Sequence, residues 1–89
     1  MASFEIRWKT SAKKELKTLT QPTILKILKV IESLAENPYP HGTKKLQGTE
    51  HTYRLRIGDY RIIYSVESSI LLIEVIRIGH RKEVYKRIT

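Results

Sequence analysis

Between Tyr53 and Tyr64 the sequence places three arginines, Arg54, Arg56 and Arg61, on two alternating apolar and polar runs separated by Gly58-Asp59. Read as a two-residue turn with glycine at the position that needs positive φ, this dipeptide sets the pairing of the runs. Ile57 then faces Tyr60, Arg56 faces Arg61, Leu55 faces Ile62 and Tyr53 faces Tyr64. Alternation puts Tyr53, Leu55, Ile57, Tyr60, Ile62 and Tyr64 on one side and gathers the three arginines on the other. Two arginines directly opposed repel, so the arrangement works against folding unless an anion bridges them. The planar guanidinium fork fits phosphate, and a cluster on rigid strands can stabilise charge developing on a transferred phosphoryl group. A basic strand that is simply solvated is the plainer alternative, against which three arginines converging on one place weigh.

A second basic block closes the chain: Arg77, His80, Arg81, Lys82, Tyr85, Lys86 and Arg87 follow one another with only Glu83 as an acid. Arg81 and Tyr85, four apart, share a face whether the tail is helical or extended. Cutting RNA through its own 2′-hydroxyl requires a base for that proton, an acid for the leaving oxygen and cations for the phosphorane. His80 or Tyr85 can be the base: histidine has a suitable intrinsic pKa, and tyrosine needs nearby cations to favour its ionised form. Lys44, Lys45, Arg77, Lys82 and Lys86 are the expected contacts to the RNA backbone. Taken alone, the tail also reads as a solvated end with Tyr85 packed at an edge.

These groups sit in a chain of 89 residues with seventeen Lys and Arg against nine Asp and Glu, a net charge of +8. That balance steers polyanions toward the surface, nucleic acid first and an anionic membrane second. The length allows one small domain, residues 1–89, with a thin core. Cysteine is absent and the three histidines are scattered. A disulfide framework, a thiol nucleophile and a cysteine-based zinc site are therefore excluded, and neither a metal nor another cofactor is expected. The start Met1-Ala2-Ser3-Phe4-Glu5-Ile6 lacks the apolar stretch of a signal peptide, and the longest apolar run, Ile70 to Ile73, is far too short to span a bilayer. The expected location is cytoplasmic, without membrane attachment.

The elements that must position the arginines follow from periodicity. Phe4, Ile6 and Trp8 alternate with Glu5, Arg7 and Lys9 as a half-buried strand. Thr10 or Ser11 can cap a short helix with Ala12, Leu16 and Leu19 inward and Lys13, Lys14 and Lys17 outward. Pro22 opens a second helix, predicted over 23–36, with Ile24, Ile27, Leu28, Ile31, Leu34 and Ala35 on one face. Asn37-Pro38-Tyr39-Pro40-His41-Gly42 ends it, and a polar loop carries Lys44, Lys45 and Gly48. Strands are predicted over 53–57, 60–66 and 70–78, with Gly79 permitting a sharp exit into a short basic C-terminal segment. The order β-α-α-β-β-β indicates an α+β fold, two N-terminal helices on one face of a mostly antiparallel sheet with the other face open. Periodicity does not assign a partner to the first strand.

Three segments, Lys45-Leu46-x-Gly48, Tyr53 to Tyr64 and Ile78-Gly79-His80-Arg81-Lys82-Glu83-Val84-Tyr85, resemble the RelE/ParE superfamily of type II toxin–antitoxin toxins. The resemblance covers essentially the whole chain; its second half is specific and its helical half generic. RelE-like members are ribosome-dependent endoribonucleases that cut mRNA in the ribosomal A site, whereas ParE-like members inhibit DNA gyrase on the same fold, so fold alone does not decide function. The RelE-like branch implies Tyr85 as general base, Arg81 as general acid and Arg54, Arg56 and Arg61 as binders of the scissile phosphate. It also implies mRNA on the ribosome, with its rRNA, as the target, and a RelB-like antitoxin as the partner that covers the basic site. This chain has arginines where the best-known RelE has lysines, at Arg54 and Arg56. It also has a shorter spacing from Arg81 to Tyr85, which leaves His80 as the alternative base.

Overall fold

The alternation of Phe4, Ile6 and Trp8 becomes strand β1, Glu5–Trp8. The structure, a computed structural model, describes residues 3–80. Two helices follow, α1 (Thr10–Lys17) and α2 (Gln21–Leu34), and then the strands β2 (Lys44–Lys45), β3 (Thr52–Ile57), β4 (Tyr60–Glu67) and β5 (Leu72–His80), with a single 3-10 turn at Ser68–Ile70. The sheet order is β1-β5-β4-β3-β2. β1 runs parallel to β5, and the other neighbours are antiparallel. The fold is thus the α+β arrangement expected, with one strand more: the polar loop holds Lys44–Lys45, paired with Arg54 and Tyr53. Two lysines carry no alternation, so periodicity cannot find them.

Local chemistry accounts for the helix boundaries. Lys9, rather than Thr10 or Ser11, occupies the N-cap of α1, without a side-chain cap bond. Its N–H donates to the Val75 carbonyl at 3.0 Å, so the chain leaves the sheet and enters the helix within one residue. Thr20 precedes α2 in an extended conformation, and Pro22 sits in the first turn, where a missing N–H costs nothing. The helix ends at Leu34, two residues before the predicted end. Ala12, Ile27, Ile31 and Leu34 pack on Leu55, Ile57, Ile62, Tyr64, Val66, Ile73, Val75 and Ile78, so both helices cover one face of the sheet. Among the described residues no helix is long and apolar enough to cross a membrane.

Two polar contacts fasten this assembly. β1 ends at Trp8 opposite Val75, which among the described residues leaves the far end of β5 without a strand on that side. Glu15 of α1 takes the place of one: its Oε1 accepts from the Ile78 N–H at 3.0 Å, and its Oε2 accepts from Arg77 Nη2 at 2.7 Å and Nε at 3.1 Å. Both side chains of this ion pair are largely shielded, at 16% and 20% exposure, which makes it stronger than a surface pair. At the opposite edge the buried Tyr64 hydroxyl donates to the Pro38 carbonyl at 2.7 Å and lies 3.3 Å from Thr43 Oγ1, tying the loop after α2 to the middle of the sheet. Burial, followed by the neighbouring Tyr39 and Tyr53, pushes the Tyr64 phenol up despite the opposing effect of Thr43.

Glu15→Gln retains one acceptor but loses the charge; chemical denaturation is expected to show a loss of about 1–3 kcal/mol. Tyr64→Phe is expected to cost about 1–2 kcal/mol at neutral pH because the Pro38 carbonyl loses its donor. The pH dependence has a definite sign. The folded protein holds this phenol neutral above the pH, about 10, at which the unfolded chain ionises it. Its contribution is therefore complete below that pH and is lost as pH rises through the folded-state value, so the alkaline fall in stability should be shallower in Tyr64→Phe.

Candidate functional site

The β3–β4 ladder has the register derived from Gly58-Asp59: Arg56 pairs with Arg61, Leu55 with Ile62, Tyr53 with Tyr64 and Ile57 with Tyr60. Gly58 alone in the turn has positive φ, +59°. Arg54, Arg56 and Arg61 therefore share the face turned away from the helices, as the alternation requires. Neighbouring strands add to them. Across β2 the partner of Arg54 is Lys44, and across β5 the partner of Arg61 is Gly79, which has no side chain to compete for the space. A pocket of about 250 Å³ opens between Gly42, Lys44, Arg54 and Arg56.

This face is less open than alternation alone implies. Arg61 is only 4% exposed, the one buried charged residue among those described, and Ile63 beside it is 1% exposed. Ile63 pairs with Arg54 on one side and Arg77 on the other, so an apolar residue floors the cationic cluster. Such a floor keeps water and its dielectric screening away, which strengthens attraction to an anion. The buried Arg61 has little rotamer freedom left to lose on binding, whereas Arg54 is half-buried and Arg56 exposed. Together they supply positive charge held in fixed geometry, suited to a phosphate or to the extra charge of a pentacoordinate phosphorane. They supply no proton acceptor.

The remaining candidates divide. Lys44 joins the arginines, whereas Lys45, opposite Tyr53, falls on the other side of the sheet. Gly79 does not turn the chain; β5 continues through it to His80. His80 pairs with Tyr60, and their rings meet edge to face at 6.1 Å, which places the imidazole on the helix side, away from the arginines. Arg77 is on the arginine side but is committed to Glu15. Arg81, Lys82, Tyr85 and Lys86 lie outside the described residues. Sequence reasoning missed Glu15, Gly42 and Ile63. Glu15 carried a signal, as the one acid of a helix that otherwise displays Lys13, Lys14 and Lys17. On the helix side of β3, burial pushes the Tyr53 phenol up, reinforced by the Tyr39 hydroxyl, so Tyr53 stays neutral and is unsuited to be a base.

The profile of the ParE toxin of type II toxin–antitoxin systems (parDE) matches residues 6–85. A protein of Methanocaldococcus jannaschii that bears the name toxin RelE1 is 36% identical over 76 residues, 82% of this chain and 84% of that protein. The crystal structure of the archaeal RelE–RelB complex from Pyrococcus horikoshii superposes with a TM-score of 0.79 at 29% identity, covering 88% of this chain and 94% of that one. A mutant of E. coli toxin RelE in the free state gives 0.77 at 28% identity, with all of both chains covered. The chain belongs to the ParE toxin family and is a RelE/ParE-type toxin of a type II toxin–antitoxin system.

Two arginines opposed across β3 and β4 carry a testable trade-off. Arg56→Gln is expected to raise stability at low salt by about 0.2–1 kcal/mol, a gain that shrinks as salt screens the pair. Its affinity for a single-stranded oligonucleotide should fall, and the slope of log K against log salt should flatten by about 0.7. Denaturation and binding isotherms across a salt series read both effects.

Proposed function

We propose that this toxin is an mRNA interferase, a metal-independent endoribonuclease that cuts mRNA on the ribosome by attack of the 2′-hydroxyl on the adjacent phosphorus. The observation that carries this reading is the buried Arg61 facing Arg56 across β3 and β4, with Arg54 and Lys44 at the adjoining pocket. A phosphorane site draws on several cations held at one place on rigid strands, which a surface that only docks on another protein does not require. The RelE names of the archaeal relative and of the superposed toxins support the same branch.

In this account Arg54, Arg56 and Arg61 hold the scissile phosphate and take up the charge that grows on its oxygens. Tyr85 removes the 2′-hydroxyl proton. As the 2′-oxygen bonds to phosphorus, the bond to the 5′-oxygen breaks, leaving a 2′,3′-cyclic phosphate, and the departing 5′-oxygen takes a proton from water to become the 5′-hydroxyl of the released chain. Arg81 assists that departure; a guanidinium with a pKa above about 12 does so better by its charge than by giving up a proton. The position of His80 against Tyr60, on the far side of the sheet, favours Tyr85 over His80 as the base. Lys44, on the arginine side, contacts the RNA backbone together with Lys82 and Lys86 of the tail. The ribosome supplies the alignment that an open basic face lacks, so little cutting is expected without it.

The neighbouring RelE structures include a complex with RelB. By analogy, a RelB-like antitoxin occupies the basic face of this chain, and an acidic partner would complement its charge of +8. The second reading, inhibition of DNA gyrase, draws on the ParE description of the matching profile. A supercoiling assay separates the two.

Purified protein added to translating ribosomes is expected to create new mRNA 5′ ends and to leave gyrase supercoiling unchanged. Tyr85→Phe should slow cutting by about 10²- to 10⁴-fold, and Arg61→Ala by about 10²- to 10³-fold. His80→Ala should cut nearly as fast as wild type. An absence of new ends, or equal cutting by Arg61→Ala, contradicts the assignment.

A further inference from the structure

One arginine on the open side of the sheet is turned away from the phosphate site. The register sets Arg77 in the row of Ile63 and Arg54, across β5, β4 and β3. Arg61 faces Gly79, two residues on from Arg77, so Arg77 is its diagonal neighbour on the same face. Diagonal neighbours stand about 7–8 Å apart, within reach of a long side chain, and Gly79 contributes none of its own. A guanidinium starting there is placed to meet an anion held by Arg61. Instead Arg77 turns to the edge of β5, where Glu15 of α1 accepts from the Ile78 N–H at 3.0 Å. There Arg77 Nη2 and Nε donate to Glu15 Oε2 at 2.7 and 3.1 Å.

This contact exceeds what closing the edge requires. One neutral acceptor satisfies an N–H, whereas Glu15 brings a charge and a second oxygen, both of which engage Arg77. Glu15 is the one acidic residue from Ile6 to Ile31, a stretch with six lysines, so its charge runs against its surroundings in the chain. The pair is shielded, so a phosphate arriving on the open face meets Arg77 already matched in charge. That matters for turnover. A fourth guanidinium that grips the phosphate equally before, during and after the bond breaks tightens substrate and product alike and adds nothing to kcat.

We infer that Glu15 is a positioning residue for the cleavage: by engaging Arg77 it restricts the phosphate site to Arg54, Arg56 and Arg61. The inference rests on the nucleolytic reading and adds to it the residue that limits how tightly RNA is held on either side of the chemical step. An anchor that only fastened α1 to the sheet would weaken the fold when broken and would not improve binding. A withheld arginine, once released, strengthens binding.

The test measures binding of a short 2′-deoxyuridine oligonucleotide, which offers the phosphates without being cut. Glu15→Gln keeps an acceptor for the Ile78 N–H and turns its amide N–H groups toward the guanidinium, donor to donor, so Arg77 is released. This variant should bind about tenfold more tightly than wild type, with the slope of log K against log salt steeper by about 0.7. On ribosomes it should cut mRNA with a lower KM and no gain in kcat. Arg77→Gln should bind within about twofold of wild type, and the double variant should return affinity and slope to that level. Glu15→Gln binding no tighter than the double variant overturns the inference. So does a loss of binding beyond about twofold in Arg77→Gln, a result that stands even where Glu15→Gln fails to fold. Ribosomal mRNA cutting by wild type in either case leaves the nucleolytic reading intact. If wild type neither binds the oligonucleotide nor cuts mRNA on ribosomes, that reading falls and the role of Glu15 falls with it.

Discussion

The hairpin enforces the placement of Arg56 opposite Arg61 on one face of the sheet. Gly58 supplies the one positive φ of the turn, the turn fixes the register, and the register sets both arginines on the same face of the sheet. A shift of one residue would send every arginine of the hairpin into the core and every core side chain to the surface, so burial of Leu55, Ile62 and Tyr64 holds the like charges together. Apolar packing thus fixes which face the three arginines share.

The rest of the architecture determines which cations belong to that patch. A bulge in β5, where the pairing steps from Tyr64 and Val75 to Ile63 and Arg77, passes over Ile76 and rephases the strand. Without it Arg77 would point into the core and Ile78 away from it. The bulge brings Arg77 to the arginine side, and Glu15 then engages it while capping the neighbouring Ile78 N–H. One carboxylate therefore closes the exposed edge of β5, joins α1 to the sheet and keeps a fourth arginine from crowding the other three. Tyr64 does the corresponding work at the other side, where it anchors the loop that carries Tyr39 and Gly42.

Much of this was legible in the residues. The turn chemistry of Gly58-Asp59 gave the hairpin register, and the 3.6-residue repeat from Ile24 to Leu34 gave the long helix; both are local properties. What escaped depends on residues far apart in the chain. The parallel pairing of β1 with β5 joins the two ends, and Glu15 meets Arg77 across 62 positions. The side of the sheet taken by His80 follows from a bulge and from a glycine that stays in the strand, whereas Gly79 read alone invites a turn. The burial of Arg61 and Ile63 was hidden for another reason: alternation gives the direction of a side chain and not its depth. At the site, composition and spacing identified the three arginines, but their division from Arg77 and His80 needed the assembled sheet.

The central claim is that Arg54, Arg56 and Arg61 act as one phosphate site from which Arg77 is withheld. Its most direct test is an NMR titration of the arginine Nε–H resonances with a dinucleotide whose attacking 2′-hydroxyl is replaced by hydrogen, so that it binds without being cut. The three resonances should move together along one binding curve, while those of Arg77 and Arg7 stay in place. Movement of Arg77 along the same curve, or shifts spread over every arginine alike, would contradict the account.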